Sequence, residues 1–175
     1  MAGRAARRAS TAATRAIGRS GFIATIDAVR ASGHDKVILV GHSMGGVVIT
    51  ATAQRAPEKI SALVYLTAFL PRAGVPATDY IHAPENEGEL VGPLLRSDPA
   101  VTAALRMDHR SPDPAYRAAA KQAFYGDVSD ADFDAARNLM VPDVPVVPFA
   151  TPIATTADRW GSLPRPGDVR PTGSG

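Results

Sequence analysis

The sequence predicts an α/β fold built on one parallel β-α-β unit, and three observations carry that prediction. A short continuous apolar run, KVILV (36–40), has the character of a strand covered on both faces. A glycine-flanked serine turn follows at 41–45, and MGGVVITATAQRA runs on as a helix that ends before Pro57. A second apolar run, ISALVYLTAFL (60–70), leads into Pro71. Strand, helix and strand within about 35 residues make one right-handed crossover.

Ahead of that unit, residues 1–19 hold Arg4, Arg7, Arg8, Arg15 and Arg19 and no acid. Such a stretch suits an organelle presequence, a basic arm or a disordered leader. The leader is the expectation. No secretory h-region follows it, so a cytoplasmic location is expected as well. From Ser20 the pattern turns helical: Phe22, Ile23, Ile26 and Val29 fall three and four apart, and Gly33 supplies a left-handed stop.

After Pro71 the chain changes character, and residues 72–150 read as a helical lid. Asp98 and Pro99 start one helix as N-cap and first-position proline, with Val101, Ala104 and Leu105 on its face. SPDPAYRAAAKQAFYG (111–126) holds a second. Ser129 and Asp132 form a capping-box pattern for a third, with Phe133, Ala136 and Met140 on one side. VPDVPVVPFATPIATT (141–156) is too rich in proline for a central strand and is expected to be an extended connector. Residues 166–175 read as a disordered tail.

Composition narrows the function classes. With 175 residues, 45% hydrophobic and 21% charged, the chain suits one ordinary globular domain. No apolar run approaches the roughly 20 residues of a membrane-spanning helix. Net charge is only +2, and no aromatic residue precedes Phe22, so stacking on bases is unsupported and no nucleic-acid partner is expected. Zero cysteine removes disulfides, thiol catalysis and cysteine-containing zinc sites. The turn lacks G-x-G-x-x-G and the G-K-[ST] ending of a phosphate loop, so it reads as neither a dinucleotide site nor a P-loop, and no metal site is expected.

Gly41-His42-Ser43-Met44-Gly45 matches G-x-S-x-G, the nucleophile elbow. A serine on a sharp strand-to-helix turn takes a strained backbone, and flanking glycines let strand and helix approach without a Cβ clash. The hydroxyl is then held out at the strand's C-terminal end. The backbone N–H of Met44 points at a nascent oxyanion, helped by the positive end of the helix.

The segment DKVILVGHSMGGVVITATAQRAPEKISALVYLTAFLPRAG resembles the α/β-hydrolase superfamily, most of all the plant methylesterases, hydroxynitrile lyases and their bacterial relatives. GDVSDADFDAARNLMVPDVPVVPFATPIATTADRWGSLPR resembles that group's lid and return to its sheet, so the likeness covers about residues 20–165. It implies a partial α/β-hydrolase fold. It also implies cofactor-free hydrolysis of small carboxylic esters through an acyl-enzyme, or related carbonyl chemistry, with Ser43 as nucleophile and Met44 as oxyanion donor.

The same resemblance shows what the chain does not match. The superfamily orders its triad as serine, acid, histidine. In relatives, Pro-Arg, here Pro164-Arg165, leads into a strand that precedes the acid, and the histidine lies farther on. No residue here matches either, and Asp168 sits too near Pro164-Arg165 to be the acid. Thr67 stands where relatives often carry aspartate, so it cannot orient a base. Nothing before residue 36 resembles the loop that donates the second oxyanion N–H. Among other histidines, His34 precedes the strand at the end opposite Ser43. His42 is the elbow's variable position, suited to packing or substrate shaping, and His82 and His109 fall in the lid.

A weak or inactive hydrolase-like chain is therefore the leading expectation. An active esterase using His82 or His109 as base is the first alternative, and a non-catalytic ligand-binding or interaction protein the second. With only two convincing strands, both sheet edges are expected to be open, which invites self-association.

Overall fold

In the computed structural model, residues 23–166 are described. The leader and nearly all of the expected tail lie outside them. The chain forms two compact units, one comprising the residues up to Ile81 and from Pro148 onward, the other His82–Val147.

The first unit holds the β-α-β crossover. Helix α1 covers 23–31 and buries Ile26 and Val29, and Gly33 at φ +73° ends it as expected of a left-handed stop. Strand β1 (Val37–Ser43) pairs in parallel with β2 (Ile60–Ala68), and α2 (Gly45–Arg55) connects them. The strand extends past the apolar run, through Gly41 and His42 to Ser43 itself.

One face of this sheet is packed against α2. Ile49, Ala53, Ile60, Leu63 and Leu163 form its core, with Leu39, Tyr65 and Trp160 against them. The other face carries Ile38, Val40 and Leu66, exposed by 62%, 60% and 57%. Register pairs Val40 with Val64 and His42 with Leu66, so these side chains share a face. The outer edge of β2 departs from the expectation of two open edges, because the Leu63 N–H donates to the Pro164 carbonyl at 3.0 Å. The Pro-Arg segment thus runs up beside β2.

A hydrogen-bonded chain ties α2 to the sheet. The indole of Trp160 donates to the Tyr65 hydroxyl at 2.9 Å. Tyr65 and Thr50 hydroxyls lie 2.7 Å apart, and Thr50 donates to the Gly46 carbonyl at 2.7 Å. With the Thr50 proton committed to Gly46, the Tyr65 proton goes to Thr50, and every member is satisfied. Farther on in this unit, Phe69 and Phe149 meet edge to face with centroids 5.2 Å apart, and the Gly74 N–H donates to the Ile153 carbonyl. Helix α3 (Ala77–Ile81) follows.

The second unit contains the capped helices. In α4 (Pro99–Thr102), Asp98 accepts from the Ala100 N–H, as an N-cap should. The helix stops after one turn, contrary to the longer face expected through Leu105. Ala103 takes φ +56°, and Ala104–Arg106 becomes strand β3. Its antiparallel partner is β4 (Asp143–Pro145), so part of the proline-rich connector is strand after all. Proline is tolerated there because a two-stranded ribbon consists of edges only. The Arg106–Asp143 bidentate pair closes the ribbon across 37 residues of sequence.

Helices α5 (Pro114–Tyr125) and α6 (Asp130–Leu139) form as expected, capped by Asp113 and Ser129. Phe133 is buried with Leu94, Met107 and Ala120.

Candidate active site

Ser43 ends β1 with φ +52°, in the left-handed region that costs a non-glycine residue energy. Its side chain is exposed, as is that of His42. Gly41 is buried because there is no room for more: a Cβ there would stand 2.6 Å from the Gly45 carbonyl oxygen and 2.9 Å from the Gly46 nitrogen.

The glycine after the serine works differently from the sequence expectation. A Cβ on Gly45 would meet nothing within 4 Å. The steric demand falls one residue later, at Gly46, whose Cβ would land on the Phe69 carbonyl oxygen and lie 3.0 Å from the Ala68 Cβ. The second close approach is therefore between α2 and the end of β2. Sequence reasoning missed Gly46, although the doubled glycine in the motif was its visible signal.

The N-terminus of α2 is uncapped. Met44 makes no side-chain cap, and its N–H donates no hydrogen bond among the described residues, while its carbonyl accepts from Val47 and Val48. An uncommitted N–H one residue past an exposed serine, at the positive end of an 11-residue helix, is what oxyanion stabilisation requires.

Beside the elbow, β2 carries an irregularity. His42 pairs with Leu66 but Ser43 pairs with Ala68, which leaves Thr67 as the extra residue of a bulge. Thr67 has φ +42°, an outlier for a β-branched side chain. The Phe69 N–H donates to the Ser43 carbonyl at 3.1 Å and locks the two strand ends together.

The histidines are distributed as follows. His34 is exposed and separated from Ser43 by the whole of β1, roughly 20 Å for seven extended residues. His82 and His109 belong to the second unit. Partial burial pushes the His109 imidazole below its ordinary pKa, opposed by the charge of Asp108 and a hydrogen bond to the Val141 backbone. Among the described residues no cluster of histidine, aspartate and glutamate could hold a metal ion, and no helix is long and apolar enough to cross a membrane.

A strained serine between a parallel strand and a helix defines a class, the hydrolases built on a nucleophile elbow. Residues 3–172 match the family described as the alpha/beta hydrolase family, and the chain belongs to it. Among curated proteins, it is 62% identical over 40 residues to a carbendazim hydrolyzing esterase of Nocardioides sp. (strain SG-4G), covering 23% of this chain and 16% of that one. It is 54% identical over 37 residues to methylesterase 1 of Arabidopsis thaliana, covering 21% and 14%.

Among solved structures, a pyrethroid hydrolase from Sphingobium faniae JZ-2 superposes with a TM-score of 0.63 at 28% identity, over 77% of this chain and 51% of that one. An extracellular α/β-hydrolase from a Paenibacillus species gives 0.61 at 23% identity, over 82% and 54%, a likeness of fold alone. The chain thus spans about half the length of these solved relatives and a smaller share of the curated ones.

Proposed function

We propose that this chain carries the nucleophile-elbow part of a small-molecule carboxylic ester hydrolase. Ser43 is the nucleophile, the Met44 N–H is one oxyanion donor, and Gly41, His42 and Gly45 complete the turn. The observation that carries the reading is the conjunction at Ser43: an exposed hydroxyl on a strained backbone, followed by an N–H with no partner among the described residues. The esterase names of the relatives support a small ester or related carbonyl compound as substrate class. A cytoplasmic location belongs to the same proposal.

In the 175-residue form, turnover is weak or nil. Attack on an ester carbonyl and deacylation both need a base, and no residue of the sequence matches the family acid or histidine. Loss of a triad base costs on the order of 10⁴-fold or more in rate, leaving binding and oxyanion help. Hydrolysis of p-nitrophenyl acetate should therefore show no component that depends on Ser43. Activity abolished by Ser43→Ala would overturn the weak-turnover reading.

One observation favours the rival. Partial burial lowers the His109 pKa, which favours the neutral form a general base requires. Stoichiometric labelling of Ser43 by a fluorophosphonate, lost in His109→Gln, would establish a lid base.

A further inference from the structure

Among the described residues, Thr67 is the one strained residue near the site that the nucleophile elbow does not explain. The elbow needs Ser43 in the left-handed region. It does not need the same of the neighbouring strand, least of all at a β-branched residue. Backbone strain of this kind costs on the order of 1–3 kcal/mol and persists where the surroundings enforce it.

Here the enforcement is visible just past Thr67. The Phe69 N–H is bonded to the Ser43 carbonyl, and the Phe69 carbonyl fills the space that a Gly46 side chain would need. The bulge is therefore clamped to the elbow by the residues just beyond it. A bulge re-aims a side chain that regular pairing would send elsewhere. Because Ser43 pairs with Ala68, Thr67 sits within about 6 Å of Ser43 by Cα geometry.

The hydroxyl of Thr67 is also uncommitted. The two threonines of α2 spend theirs on the backbone, Thr50 on Gly46 and Thr52 on Val48. Thr67 is exposed and makes no side-chain hydrogen bond among the described residues. A hydroxyl can donate and accept, so it suits either the acyl or the alkoxy oxygen of an ester.

We propose that Thr67 is a ligand-contacting residue of the Ser43 site, its hydroxyl hydrogen-bonding an oxygen of the small ester or acyl group seated on Ser43. The inference rests on the reading of Ser43 as the nucleophile.

The test uses phenylboronic acid, whose trigonal boron accepts a lone pair from the Ser43 oxygen while the hydroxyl proton passes to water. Boron-11 NMR of the full chain reads the tetrahedral adduct. Ser43→Ala should remove it. Thr67→Val, which keeps the branched shape, should weaken binding about 5-fold, the worth of one hydrogen bond, while Thr67→Ser holds it within about twofold. Thr67→Gly relieves the backbone, so its melting temperature should hold or rise while boronate binding falls, a split that a purely structural role would not produce. Unchanged binding in Thr67→Val and Thr67→Gly would reject the Thr67 assignment and leave Ser43 standing. No adduct on the unsubstituted chain would remove the Ser43 reading and the Thr67 contact with it.

Discussion

The two ends of helix α2 are built in opposite ways. At its N-terminus no side chain caps the helix, the preceding serine is strained, and an N–H is left without a partner among the described residues. At its C-terminus the last two carbonyls are satisfied from a distance of about a hundred residues. Arg159 donates to the Gln54 carbonyl through Nε and to the Arg55 carbonyl through Nη2. The Gln54 side chain accepts from the Thr156 N–H and donates to its hydroxyl. Helix ends have four orphan groups each, and a guanidinium at the negative end satisfies both hydrogen bonding and dipole. One end thus ties the helix into the fold, and the other leaves its first N–H open beside Ser43.

The largest break in that contrast is predicted at Gly46. Gly46→Ala forces a Cβ onto the Phe69 carbonyl and should cost about 3 kcal/mol or more, since overpacking against backbone cannot relax cheaply. Its neighbour is the control. Gly45→Ala meets open space and should be neutral or stabilising by about 0.5–1 kcal/mol. Urea unfolding followed by circular dichroism separates the two, and equal losses would refute the steric account.

A middle effect is predicted at the opposite end. Arg159→Ala leaves two helix-terminal carbonyls to water and should cost about 1–2 kcal/mol, with Arg159→Lys recovering part of it. Ser43-directed boronate binding should stay unchanged, because the elbow has its own supports. If binding falls with stability, the two ends are not independent.

The smallest effect is in pH. The hydrogen bond from Thr156 holds the Asp158 carboxyl below its ordinary range, helped by its own backbone and by Arg159. A carboxylate with a depressed native pKa contributes stability that is present above its unfolded pKa, near 4, and lost as pH falls through the native value. Acid titration of the unfolding midpoint should show a loss below about pH 4 that is shallower in Asp158→Asn.

The elbow was legible from sequence because it is local. Serine, flanking glycines, an apolar run before and a helix after all fall within Lys36–Ala56. The caps at Asp98 and Ser129 and the stop at Gly33 were legible for the same reason. What escaped was set by partners far along the chain. Nothing in YLTAFLP marks Thr67 as a bulge, because the slip arises from how Phe69 meets Ser43 and Gly46. Ala104 and Leu105 continue a helical pattern, yet pairing with Asp143–Pro145 converts them to strand. The Arg159 cap is likewise invisible without the fold.

Trp160 has a consequence of a different order. It is the sole tryptophan of the chain, with Arg165 placed 4.2 Å over its ring and its indole bonded to Tyr65. From Tyr65 the connection runs through Thr50 to Gly46, in the first turn behind Ser43. Its emission is therefore an intrinsic optical readout of whether that helix is seated on the sheet. An emission red shift on loosening would report the state of the elbow without any added dye.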